Sequence, residues 1–140
     1  MSTITGYDRL TVASAMHRGV VTCRPETPLP KLAHMMAGHR IHGVVVWSEA
    51  EESDEEGTLW GVVSDLDLAG AIAADRVEAT AESVTSTRVV TVDQKESLRR
   101  AAELMVEYDA AHLVVVKRGR PVGVISTLDL ARVVADETSR

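Results

Sequence analysis

Two seven-residue segments hold the side chains best placed to do chemistry, Gly61-Val62-Val63-Ser64-Asp65-Leu66-Asp67 and Gly123-Val124-Ile125-Ser126-Thr127-Leu128-Asp129. Each runs from a β-branched stretch into a helical pattern, so its serine stands at a helix N-cap and its aspartate at the third helical position. A helix start offers unpaired backbone N–H groups and the positive end of the helix dipole to an anion. A carboxylate beside it accepts the two vicinal hydroxyls of a ribose. Phosphate at Ser64 or Ser126, with a sugar at Asp67 or Asp129, is one chemistry that this spacing supports. The other is structural, a reciprocal capping box in which serine and aspartate satisfy each other's backbone.

The two segments close two copies of a longer unit. Val20-Val21-Thr22, Leu29, Ala33, Met36 and Val44-Val45-Val46 return as Val89-Val90-Thr91, Leu98, Ala102, Met105 and Leu113-Val114-Val115. The offset is 69 residues at the front (Thr22 to Thr91) and 62 at the back (Ser64 to Ser126), and the difference falls in the stretch 48–58. A unit this small does not bury its apolar face alone, so each copy is expected to pack against the other and to leave the functional cleft between them.

The pattern of each copy predicts a short lead-in, then strand, helix, strand, strand, helix. In the first copy these are Val12–Met16, a strand over Val20–Cys23, a helix with Thr27 as N-cap and Pro28 at its first position, strands over Val44–Trp47 and Leu59–Val63, and a helix over Ser64–Ala74. Six acidic side chains, Glu49, Glu51, Glu52, Asp54, Glu55 and Glu56, make 48–58 read as a lengthened, solvated hairpin. In the second copy Val84 opens the unit and Val89–Val92 is its strand. Asp93–Glu96 reads as a capping box for a helix that buries Leu98, Ala101, Ala102, Leu104 and Met105. A hairpin of Leu113–Val116 and Pro121–Ile125 turns at Lys117–Arg120, and Thr127–Glu137 is the closing helix. The expected organisation is a leader over 1–11, a first repeat over 12–74, a linker over 75–81 and a second repeat over 82–137.

Bulk composition narrows the function classes. A chain of 140 residues with 45% hydrophobic content and no phenylalanine fills one α/β (α+β) core and leaves no room for a separate catalytic domain. The net charge of −6, with dispersed Lys and Arg, argues against nucleic acid as a partner. Cys23 is the single cysteine, so no intrachain disulfide forms, and no His or Cys spacing suits a metal. No stretch approaches the roughly 20 apolar residues of a membrane span, and the first residues lack the basic start and apolar run of an export signal. A cytoplasmic protein without membrane contact is expected. Cys23 lies near His17 and His39 only in number, and no nucleophile elbow, P-loop or Rossmann glycine pattern is present, so no enzyme is expected.

The paired G-h-x-S/T-x-x-D motifs, the threonines at Thr22 and Thr91 and the repeat that carries them resemble a tandem pair of CBS (cystathionine beta-synthase) domains, a Bateman module, over nearly all of Val12–Ala135. The resemblance implies β-α-β-β-α repeats whose sheets pair about a pseudo-twofold axis. It also implies two clefts that hold AMP, ADP, ATP or S-adenosylmethionine as regulatory ligands, with no cofactor required. Carried over residue by residue, it places Ser64 and Ser126 near sugar and phosphate, Asp67 and Asp129 on ribose hydroxyls, Thr22 and Thr91 at the ligand, and the backbones of Val20, Val21, Val89 and Val90 along the base. His112 stands where the family frequently has a basic residue, and Gly43 stands opposite it in the first repeat, which favours the Ser126/Asp129 cleft over the Ser64/Asp67 cleft. His17, His34, His39 and His42 have lesser claims. The chain departs from the family at Val45 and Val114, where proline is common and would remove a backbone donor.

Two functions follow from that resemblance. The first is a non-catalytic sensor of adenosine-containing ligands that signals through a separate effector protein or through its own assembly, with a homodimer joined along the helices Ser64–Ala74 and Thr127–Glu137. The second is a ligand-free dimerisation or interaction scaffold whose clefts have degenerated.

Overall fold

The computed structural model describes residues 6–41, 43–49, 57–85 and 89–138. In chain order the elements are α1 (Gly6–Arg9), α2 (Val12–Ala15), β1 (His17–Arg18), β2 (Thr22–Cys23), α3 (Leu29–His39), β3 (Gly43–Ser48), β4 (Thr58–Ser64), α4 (Asp65–Ala73), α5 (Ala81–Val84), β5 (Thr91–Asp93), α6 (Leu98–Tyr108), β6 (His112–Lys117), β7 (Arg120–Ser126) and α7 (Thr127–Thr138). They form two compact units, one made of Val20–Val89 and the other of the segments on either side of it.

In the Val20–Val89 unit the sheet order is β2-β3-β4, with β2 parallel and β4 antiparallel to β3. Strand alternation sends Cys23, Val44, Val46 and Val63 to one face, where they bury against Leu29, Leu32 and Met36 of α3 and Ala71 of α4. The i, i+3, i+7 spacing of those α3 residues makes that helix amphipathic. The other unit repeats the plan in a sheet of order β1-β7-β6-β5, with Val92, Leu113, Val115 and Ile125 packed on Leu98, Ala101 and Met105 of α6. Both hairpins shift register at equivalent places, between Val46 and Trp47 and between Val115 and Val116.

The units exchange lead-ins relative to the sequence repeats. Val12 of α2 lies fully buried in the core around Leu98 and Ile125, and its N–H donates to the Glu96 carbonyl at 2.8 Å. Ala81 of α5 lies fully buried in the core around Leu29 and Val44, and its N–H donates to the Thr27 carbonyl at 2.8 Å. Each lead-in therefore completes the core of the repeat to which it does not belong in sequence.

Several local expectations are corrected. The strands expected over Val20–Cys23 and Val89–Val92 are β2 and β5, which begin only at Thr22 and Thr91, because pairing starts where the chain comes into register with Val45 and Val114. Helix α3 is capped at Pro28, with Pro30 in its first turn. The Thr27 hydroxyl instead accepts the Arg24 N–H at 3.1 Å. Asp93 ends β5 and accepts the Lys95 N–H at 2.9 Å, while Ser97 caps α6 by accepting the Arg100 N–H at 3.1 Å. Strand β1 was not foreseen: two polar residues carry no period, and their place is set by β7. His42 and the acidic stretch 50–56 lie outside the described residues.

Candidate functional site

Both motifs form where a strand of the sheet hands over to a helix. Ser64 ends β4 and caps α4: its hydroxyl accepts the Asp67 N–H at 3.1 Å, while the Asp67 Oδ2 accepts the Ser64 N–H at 2.8 Å and the Ser64 hydroxyl at 2.9 Å. Ser126 and Asp129 repeat this at the start of α7, with 2.8 Å from the Ser126 N–H, 3.0 Å from its hydroxyl and 3.3 Å for the return bond. The capping box is therefore real in both copies. It consumes one carboxylate oxygen of each aspartate and leaves the other, so capping and ligand binding are compatible roles for one side chain.

The remaining oxygen separates the two copies. No hydrogen bond or ion pair reaches Oδ1 of Asp67 among the described residues, and its side chain is half-buried. Oδ1 of Asp129 stands 3.2 Å from His17 Nε2 and 3.6 Å from Arg132 Nη1, and the Asp129 side chain is only 2% exposed. His17 arrives on β1, where it pairs with Val124, and Arg132 lies one turn along α7. The approach of β1 requires the motif glycine: a Cβ on Gly123 would sit 2.5 Å from the His17 carbonyl oxygen.

Other sequence-selected residues fall on the same sheet faces. Thr22 pairs with Val45, Val45 with Val62, and Ser64 lies two residues beyond, so Thr22 and Ser64 share the face turned away from α3. Two strand spacings across and two residues along put them about 12 Å apart, a span for an extended ligand and not for a single atom. Thr91, Val114, Val124 and Ser126 make the matching face of the other unit, and His112 pairs with Ser126 as Gly43 pairs with Ser64. Thr22, Thr91 and His112 are exposed, and Val20, Val21, Val89 and Val90 are half-buried outside the strands. The Val45 N–H donates to the Val21 carbonyl, and the Val114 N–H to the Val90 carbonyl, each at 3.0 Å. These are the donors that a proline at either position would lack. Beside Thr22, burial is the main force pushing the Cys23 thiol pKa up, opposed by its hydrogen bond with Thr27 and reinforced by the charge of Glu26.

Sequence reasoning passed over Arg132 and ranked His17 below His112. The signal for Arg132 was its i, i+3 spacing from Asp129, with Gly70 in the same place after Asp67. His17 gave none, because its role depends on β1. Among the described residues no cluster of three or more His, Cys, Asp or Glu is placed to hold a metal ion.

The CBS domain model matches residues 12–74 and again residues 81–136. The chain belongs to the CBS domain family. A CBS pair is a regulatory module without catalytic activity, and its mixed α/β repeats are those described above. The uncharacterized protein MJ1404 of Methanocaldococcus jannaschii is 28% identical over 140 residues, covering 89% of this chain but 32% of the relative, so the CBS pair spans about a third of that protein's length. The solved CBS domain pair of protein MJ0100, in complex with 5'-methylthioadenosine and S-adenosyl-L-methionine, has a TM-score of 0.75 at 22% identity and covers 91% of this chain and 97% of that one. The CBS domain protein PAE2072 from Pyrobaculum aerophilum, complexed with AMP, has a TM-score of 0.73 at 23% identity, covering 94% and 100%. Structures of this CBS fold thus hold adenosine-containing ligands.

Proposed function

We propose that this CBS pair is a cytoplasmic sensor of an adenosine-containing ligand, AMP, ADP, ATP or S-adenosylmethionine, and that the Ser64/Asp67 motif is its receptor. The observation that carries the reading is that no hydrogen bond or ion pair reaches Oδ1 of Asp67 among the described residues. One oxygen is fixed by the cap and the other is left to accept ribose hydroxyls, beside a helix start that attracts phosphate. Thr22 at the far side of the same face is the second contact, and Val20 and Val21 form the wall for the base. This reverses the preference for Ser126/Asp129 that His112 suggested, because Asp129 is already engaged.

Output is proposed to pass through a homodimer or a separate effector protein. Leu66 and Ile72 on α4 are exposed, and so are Leu128 and Val134 at the equivalent places on α7. Apolar side chains exposed twice at matching positions suit an isologous contact between two copies. The ligand-free scaffold draws its support from Val45 and Val114, whose N–H groups already engage the Val21 and Val90 carbonyls along the wall for the base.

Isothermal titration with AMP, ADP, ATP and S-adenosylmethionine tests the proposal. One site per chain, lost in Asp67→Ala and kept in Asp129→Ala, is the expected result. Silence toward all four ligands returns the weight to the scaffold.

A further inference from the structure

Among the described residues the two motif copies are equal in their capping bonds and unequal in what meets the second carboxylate oxygen. We infer that His17 and Arg132 act as an internal plug on Asp129, closing the second motif to a ribose and making the pair a single-ligand module. The inference rests on the reading of the motif aspartate as the ribose acceptor.

Three observations carry it. Asp129 Oδ1 faces two potential cations, His17 Nε2 at 3.2 Å and Arg132 Nη1 at 3.6 Å, whereas Asp67 Oδ1 faces none among the described residues. The plug excludes water as well as ligand: Asp129 is 2% exposed, although His17 and Arg132 themselves are 63% and 59% exposed. In the sequence of the first copy the 62-residue offset aligns Gly70 with Arg132, and the 69-residue offset aligns Ser86, which lies outside the described residues, with His17. A ribose diol offers the carboxylate two neutral donors. It displaces charge-assisted contacts only at a cost in affinity, so an open aspartate outcompetes a plugged one. Gly123 belongs to the same device, because only a residue without Cβ lets β1 bring His17 alongside β7.

The test is to give the second motif the character of the first. His17→Ser with Arg132→Ala removes both partners, alanine being chosen over glycine to spare α7. His17→Ser alone is a milder variant at an exposed position, and circular dichroism checks that each folds. Titration with AMP, ADP, ATP and S-adenosylmethionine should show one more binding site in the double variant than in wild type, tightened by about ten- to hundredfold from an undetected level. Adding Asp129→Ala should remove it again, and His17→Ser alone should open the site in part. No gain in either variant overturns the inference. A loss of binding also overturns it and identifies His17 and Arg132 as ligand contacts. The receptor assignment fails separately, if wild type binds nothing through Asp67 while the double variant still gains its Asp129-dependent site.

Discussion

Gly123→Ala is the sharpest probe of how the second motif is built. The new Cβ would lie 2.5 Å from the His17 carbonyl oxygen and 2.9 Å from the Met16 sulfur. The methionine side chain can swing aside, but the carbonyl is backbone in β1, which must retreat by about 1 Å to reach an ordinary contact. Retreat weakens the two pairs that hold β1 to β7, His17 with Val124 and Arg18 with Gly123. Overpacking of this kind costs about 1–3 kcal/mol, and reduced freedom of the unfolded chain returns about 0.4–1 kcal/mol. A net loss of about 1–2 kcal/mol corresponds to a fall in Tm of about 3–8 °C for a chain of this size. Gly70→Ala is the control. Its Cβ meets nothing within 4 Å in the middle of α4, so it should stabilise by about 1 kcal/mol. Thermal and urea unfolding followed by circular dichroism measure both. Equal stability of Gly123→Ala and wild type would refute the claim that the approach of β1 requires glycine at position 123.

Other outcomes follow from the same geometry. Asp129→Ala, which strips a cap and removes a buried carboxylate with its contacts to His17 and Arg132, should cost about 2 kcal/mol or more against about 1 kcal/mol for Asp67→Ala, while ligand binding should suffer in the opposite order; urea titration beside calorimetry checks both halves. Gly70→Arg places a guanidinium one turn beyond Asp67, as Arg132 stands to Asp129, and should weaken nucleotide affinity about tenfold while leaving the fold intact by circular dichroism. The Cys23 thiol, buried with its pKa raised chiefly by desolvation, holds less thiolate at neutral pH than a free cysteine. Its reaction with a thiol reagent should be slow in the native protein and fast in urea, and rapid native labelling would contradict its burial.

Much of the fold was legible in the chain because it is written twice. The apolar spacing of Leu29, Leu32 and Met36, matched by Leu98, Ala101 and Met105, marks the buried faces of α3 and α6. Runs such as Val44–Val46 and Leu113–Val115 mark strands buried on both faces. Ser64 with Asp67 and Ser126 with Asp129 announced their capping boxes by type and spacing alone. What escaped depended on partners distant in sequence. Asp93 looks like a cap beside Glu96, but the chain makes a turn after Asp93, with the Glu96 N–H donating to the Asp93 carbonyl, and Ser97, whose own backbone is extended, caps α6 instead. His17 looked idle because its strand exists only through β7, and the exchange of Val12 and Ala81 between cores has no local signature. The inequality of the two motifs was half visible, in Arg132 against Gly70, and needed β1 to become an argument.

A crystal structure of the protein grown with AMP decides whether Asp67 is the ribose acceptor. The expected structure holds one nucleotide per chain, its ribose hydroxyls on Oδ1 of Asp67 and its phosphate at the start of α4, with His17 still beside Asp129. A nucleotide seated on Asp129 with His17 displaced, or none at either motif, would contradict it.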